Sequence, residues 1–192
     1  LHPRDDPSEV KISPVRNWKG DLPGNTTSNK LPTEIAYDAS GKAYWGFDVP
    51  DELREETYRW LKLLLEPEIV GNKNWSNAMD PKSTKALLRR QRKIAIDVAA
   101  DYVSLLWEHV KDQIINEHSK ATYDFADKSI VFTVPAVWSE MAKHNTYLVA
   151  VNAGLTSESL RLQTISEPEA AATAVLKDRG ALLQVNLLGG SM

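Results

Sequence analysis

The chain has 192 residues, 42% hydrophobic and 26% charged, with a formal net charge of −3 and no cysteine. Disulfide and thiolate chemistry are excluded, and the slightly acidic balance argues against nucleic acid as a partner. No apolar run reaches membrane-span length, and Leu1-His2-Pro3-Arg4-Asp5-Asp6 has no hydrophobic signal region.

The length allows one good core or two small ones. The first residue is not methionine, which suggests a processed chain or a piece of a longer protein. Residues 1–30 are rich in Pro, Asp, Asn, Gly and Ser and read as irregular, apart from a short strand at Glu9-Val10-Lys11-Ile12. Asn25-Thr26-Thr27 and Asn74-Trp75-Ser76 have the form of glycosylation sequons, a short pattern that arises by coincidence. Residues 31–125 read as a hairpin followed by helices. The runs 31–38 and 43–48 flank Ala39-Ser40-Gly41-Lys42, aromatic and β-branched residues around a glycine turn. Ser40-Gly41-Lys42 is a turn and not a phosphate-binding P-loop, because no earlier glycine stands at the required spacing.

Pro50-Asp51 is expected to open a helix carrying Leu53, Tyr58, Trp60, Leu61, Leu64 and Leu65, closed by Pro67. A second and longest helix is expected from Asp80-Pro81 to about His118, with Val98, Tyr102, Leu105, Leu106, Val110 and Ile114 at steps of three and four. Its basic start, from Lys82 to Lys93, reads first as a solvated face and second as a contact for an acidic partner or phosphate.

Residues 126–192 change character. Lys128 to Val134 reads as a strand, 138–153 as a helix capped by Gly154, and Leu160 to Ile165 as a strand. An alanine-rich helix over 168–178 and an extended run from Ala181 to Val185 follow. That alternation predicts an α/β fold with a parallel strand pair joined by a crossover.

Glu167 is the foremost candidate for chemistry. It stands where a strand ends and a helix begins, the place where α/β sheets put ligands and where free backbone N–H groups favour anions. Ser166 and Glu169 also make a capping-box pattern, and Pro168 suits a first helical turn, so helix capping explains the same residues. The histidines His2, His109, His118 and His144 form no close metal-binding pair, and no Gly-x-Ser-x-Gly elbow is present.

Ile165-Ser166-Glu167-Pro168-Glu169-Ala170-Ala171-Ala172, after Phe132-Thr133-Val134-Pro135-Ala136, resembles the ATPase domain of the 70-kDa heat-shock chaperones. The resemblance spans about residues 9 to 180. The aromatic hairpin and Leu63-Leu64-Leu65-Glu66-Pro67-Glu68 look more like divergent fungal members than housekeeping chaperones. It implies an actin-like (ribonuclease-H-like) ATPase lobe, incomplete, with the hairpin and helices as an inserted subdomain.

By that resemblance Glu167 would organise Mg²⁺ and the attacking water, and Lys62 would neutralise the γ-phosphate of ATP. The bland alternative for Lys62 is a lysine snorkelling from an amphipathic helix. Pro135 and Lys143 would relay the nucleotide state. Lys143 stands where the family has arginine, which keeps the charge but not the bidentate fork. Gly189 and Gly190 resemble a remnant of the second phosphate loop, though Leu187 stands where its aspartate belongs, and a plain C-terminal tail explains them as well.

The first glycine hairpin has no match. The expectation is therefore a partial ATP-binding domain, not competent for turnover alone, with no resident metal site of its own. Client or co-chaperone proteins would be its partners, in the cytoplasm, with no nucleic acid and no membrane. Missing central strands would leave unpaired strand edges and favour self-association. The rival reading is a non-enzymatic interaction module, or a truncated gene product, derived from that family.

Overall fold

A computed structural model describes residues 12–20, 30–67, 82–156 and 160–176. Strands β1 (Ile35–Tyr37) and β2 (Ala43–Trp45) form the expected antiparallel hairpin, with Ala36 opposite Tyr44. Its turn is organised by Asp38, whose side chain accepts from the Ser40 N–H at 2.8 Å, the Ser40 hydroxyl at 2.6 Å and the Lys42 N–H at 3.0 Å. An Asx turn of this kind replaces water on the turn's backbone donors. The strands are shorter than the pattern suggests. Gly46, with φ +59°, bends the chain into a 3-10 turn over Gly46–Asp48 directly after Trp45.

The helix expected from Pro50 to Pro67 does not form as one element. Asp51–Glu56 is a 3-10 turn. Tyr58 then lies extended beside Ile35, with Tyr58 N–H donating to Ile35 O at 2.8 Å and Ile35 N–H donating to Tyr58 O at 3.2 Å. Trp60 takes a left-handed conformation, and the α-helical turn α1 is confined to Leu61–Leu64. Burial explains the change. The Tyr58 ring is fully buried, packs edge-on to Tyr37, and donates its hydroxyl to Gln91 Oε1 at 2.7 Å. That packing outweighs a weak local helical preference.

The second expected helix is two: α2 (Lys82–Gln91) and α3 (Ala95–His118). They part at Arg92, which has φ +53°. Arg92 N–H donates to Arg89 O and Lys93 N–H to Leu88 O, the paired bonds of a Schellman ending. A short helix α4 (Lys120–Phe125) follows, capped by the Ser119 side chain. The basic run at the α2 end is partly engaged within the molecule: Arg90 pairs with Glu56 at 2.7 Å, and Lys93 sits over the Tyr37 ring.

Strand β3 (Lys128–Val134), helix α5 (Glu140–Asn152) and strand β4 (Leu160–Ser166) form a crossover unit. The two strands pair in parallel, in register from Lys128 opposite Leu160 to Val134 opposite Ser166. Gly154, at φ +77°, ends α5 as the sequence predicts, with Gly154 and Leu155 N–H donating to Val151 and Ala150 carbonyls. Inward residues Ile130, Phe132 and Val134 alternate with outward Ser129, Val131 and Thr133. Helix α5 packs on α3, and a single buried cluster runs from Trp18, Ile35 and Tyr58 through Val98 and Tyr102 to Trp138, Val149 and Leu155.

The architecture is mixed α/β. Among the described residues β3 and β4 pair only with each other, in a two-stranded sheet. Ile12 belongs to no strand and is 83% exposed, while Glu9 to Lys11 lie outside the described residues. The extended run from Ala181 to Val185 also lies outside them.

Candidate functional site

The site begins where β4 turns into helix α6, described over 167–176. The expected capping box is formed. Glu169 N–H donates to Ser166 Oγ at 3.3 Å, and Ser166 N–H donates to Glu169 Oε2 at 3.5 Å. Capping is therefore carried by Ser166 and Glu169, and the Glu167 side chain is left to point elsewhere. It meets Lys62. Lys62 Nζ lies 2.5 Å from Glu167 Oε1, across 105 residues of sequence. Both side chains are about half exposed, at 48% and 47%.

Lys62 is aimed by its surroundings. Its neighbour Leu61 is buried in the core, and its ammonium stands 5.6 Å from the centre of the Trp138 ring. Trp138 is itself buried and closes the turn after β3, its N–H donating to Pro135 O at 3.2 Å. A cleft of about 430 Å³ runs beside Lys62, Trp138 and the inner face of β3.

Pro135 and Lys143 line a second cleft of about 500 Å³ together with Ser166 and Glu169. The Lys143 ammonium is engaged locally, 2.7 Å from Glu140 Oε1 one turn back on α5. The structure thus brings Lys62 and Glu167 into direct contact and sets Pro135 and Lys143 at the neighbouring strand end. Gly189 and Gly190 lie outside the described residues. Among the described residues no group of three or more His, Asp or Glu side chains is gathered as for a metal ion.

Sequence reasoning overlooked Glu66. It is 2% exposed and accepts from Ser139 N–H at 2.7 Å and from the Ser139 hydroxyl at 3.0 Å. Asn145 Nδ2 donates to the adjacent Leu65 carbonyl at 2.8 Å. The one sequence signal was a glutamate in the otherwise apolar run Leu63-Leu64-Leu65-Glu66, just before the Pro67 expected to close the helix.

Two comparisons with curated proteins bear on this geometry. The chain is similar to heat shock 70 kDa protein 12A. Against the mouse protein it is 29% identical over 174 residues, 84% of this chain and 24% of that protein. Against the human protein the identity is 28% over the same share. The chain thus spans about a quarter of the length of the relatives it matches. No protein-family model matches it. The likeness is distant and is compatible with an actin-like ATPase fold. No helix among the described residues is long and apolar enough to cross a membrane.

Proposed function

We propose that this chain is an ATP-binding segment of the heat-shock 70 kind, with Lys62 and Glu167 facing the nucleotide's phosphates and its Mg²⁺. One observation carries the reading. Two residues picked out by separate motifs meet in a 2.5 Å ion pair beside a helix start at the end of a parallel strand. That is where α/β folds concentrate ligand chemistry.

The residues suit the group. Nucleotide-bound Mg²⁺ keeps several waters and takes one or two protein carboxylates, and the ion pair occupies a single oxygen of Glu167. The Lys62 ammonium has further donors for phosphate oxygens. Mg-ATP would supply the transferable phosphoryl group. This chain's residues would bind and orient it, and full turnover would need groups contributed from outside this segment. Pro135 and Lys143, on the adjoining cleft, are proposed to carry the nucleotide state away from the site, and client or co-chaperone proteins are the proposed recipients.

Calorimetric titration of Mg-ATP into the purified chain tests the reading. Micromolar binding is expected. Lys62→Ala and Glu167→Ala should each weaken it by about tenfold or more, the loss of one charge-assisted bond. Lys62→Ala should weaken ATP more than ADP. No binding by a demonstrably folded sample would refute the proposal and leave an interaction module as the better account.

A further inference from the structure

Glu66 lies four residues beyond Lys62 and is almost fully buried, yet it carries a carboxyl group. Such a group is costly to bury unless its oxygens are hydrogen-bonded. Here both oxygens accept from one residue, Ser139, through its N–H at 2.7 Å and its hydroxyl at 3.0 Å. Ser139 is the N-cap of α5, and its Oγ also accepts from Ala142 N–H at 3.2 Å. A second tie runs parallel, from Asn145 Nδ2 to the Leu65 carbonyl at 2.8 Å.

These bonds join two stretches far apart in sequence. One is the short helix that carries Lys62. The other is the turn from Pro135 through Trp138 into α5. Lys62 is a long side chain with many rotamers, and its reach to Glu167 depends on where its backbone is held. Without the tie, α1 is a four-residue helix entered through a strained left-handed residue, Trp60 at φ +57°. A helix this short is not stable by itself, so its placement rests on the burial of Leu61 and Leu65 in the core together with the tie at Glu66.

We propose that Glu66 is the positioning residue of the Lys62–Glu167 site: its bidentate grip on Ser139 fixes the Lys62 backbone to the turn after β3. It acts through Lys62 and touches no nucleotide. The inference deepens the nucleotide reading and rests on it for its functional meaning. The grip itself is testable with no nucleotide present.

The test is the acetylation rate of individual lysines in the whole chain, read by mass spectrometry. An exposed ion pair of this kind lowers lysine reactivity up to about fivefold. Glu66→Ala should raise the Lys62 rate several-fold toward that limit. Lys111 and Lys143, held by their own ion pairs to Glu108 and Glu140, should be unchanged. Glu66→Gln should stay near wild type, because its carbonyl can accept the Ser139 N–H and its amide can donate to the hydroxyl oxygen.

An unchanged Lys62 rate in folded Glu66→Ala overturns the proposal. So does a general rise at all three lysines, which marks loosening rather than positioning. If Glu66→Ala does not fold, Glu66→Met decides, because it fills the buried volume while removing both bonds to Ser139: a selective rise at Lys62 supports the grip, and no rise overturns it. Adding Mg-ATP to wild type separates the two readings. Protection of Lys62 supports the nucleotide site, while its absence beside an intact Glu66 effect refutes the nucleotide site and keeps the grip.

Discussion

Removing the Lys62–Glu167 pair should change stability little. The two groups touch at 2.5 Å, but each is about half exposed, so water already screens much of their attraction. Exposed pairs of this kind contribute about 0.2–1 kcal/mol. Lys62 also faces the Trp138 ring at 5.6 Å, near the outer limit for a cation over an aromatic ring, which adds at most about 0.5 kcal/mol. Lys62→Ala should therefore cost no more than about 1.5 kcal/mol and Glu167→Ala no more than about 1 kcal/mol, with a coupling of about 0.2–1 kcal/mol between them. The assay is urea unfolding of wild type, both single variants and the double variant, at low and high salt. The coupling should shrink as salt rises, because the screening length falls from about 10 Å at 0.1 M to about 3 Å at 1 M. A coupling above about 2 kcal/mol, or one indifferent to salt, would refute the reasoning. The pair would then be a structural strut, and weaker ATP binding by either variant would say nothing about a site.

Tyr58→Ala should cost about 3–5 kcal/mol, since it empties a fully buried ring position, whereas Tyr58→Phe should cost only about 1 kcal/mol for the lost bond to Gln91. Equal effects of the two variants in thermal unfolding would contradict the buried placement. The Asp38 carboxyl sits below its ordinary value of 3.8, first because it accepts the Ser40 hydroxyl and then through the Lys42 and Ser40 N–H groups. Its contribution to the hairpin is therefore fully present above about pH 3.8 and lost as the pH falls below that, through the depressed folded value. Amide shifts of Ser40 and Lys42 should follow that step, and Asp38→Asn should abolish it. Arg92→Gly should stabilise by about 0.5–1 kcal/mol, because glycine takes the left-handed conformation at φ +53° without the Cβ clash. A destabilised Arg92→Gly in urea unfolding would mean the arginine side chain holds the helix junction.

Residues 128–166 show what sequence alone determines in this chain. Alternating apolar residues from Lys128 to Val134, the helical run after Ser139, Gly154 and the extended run from Leu160 fix strand, helix, stop and strand in that order. That order favours the parallel pairing observed, because parallel neighbours need a crossover connection of this kind. The Ser166–Glu169 capping box is equally local, since its partners are three residues apart.

Tertiary structure decided the rest. The two Schellman endings make the contrast. At Gly154 the left-handed residue is a glycine and announces itself, while at Arg92 the same geometry is carried by an arginine that no propensity marks. Tyr58 looks like a helix position until Ile35 offers its backbone and the core takes its ring. The candidate site divides the same way. Lys62 and Glu167 were each legible through a resemblance, but their contact across 105 residues depends on α1 being held against the turn after β3. Glu66, which holds it, stood out only as a glutamate after three leucines, because a buried carboxyl group and an exposed one are the same letter until a partner such as Ser139 arrives from elsewhere in the chain.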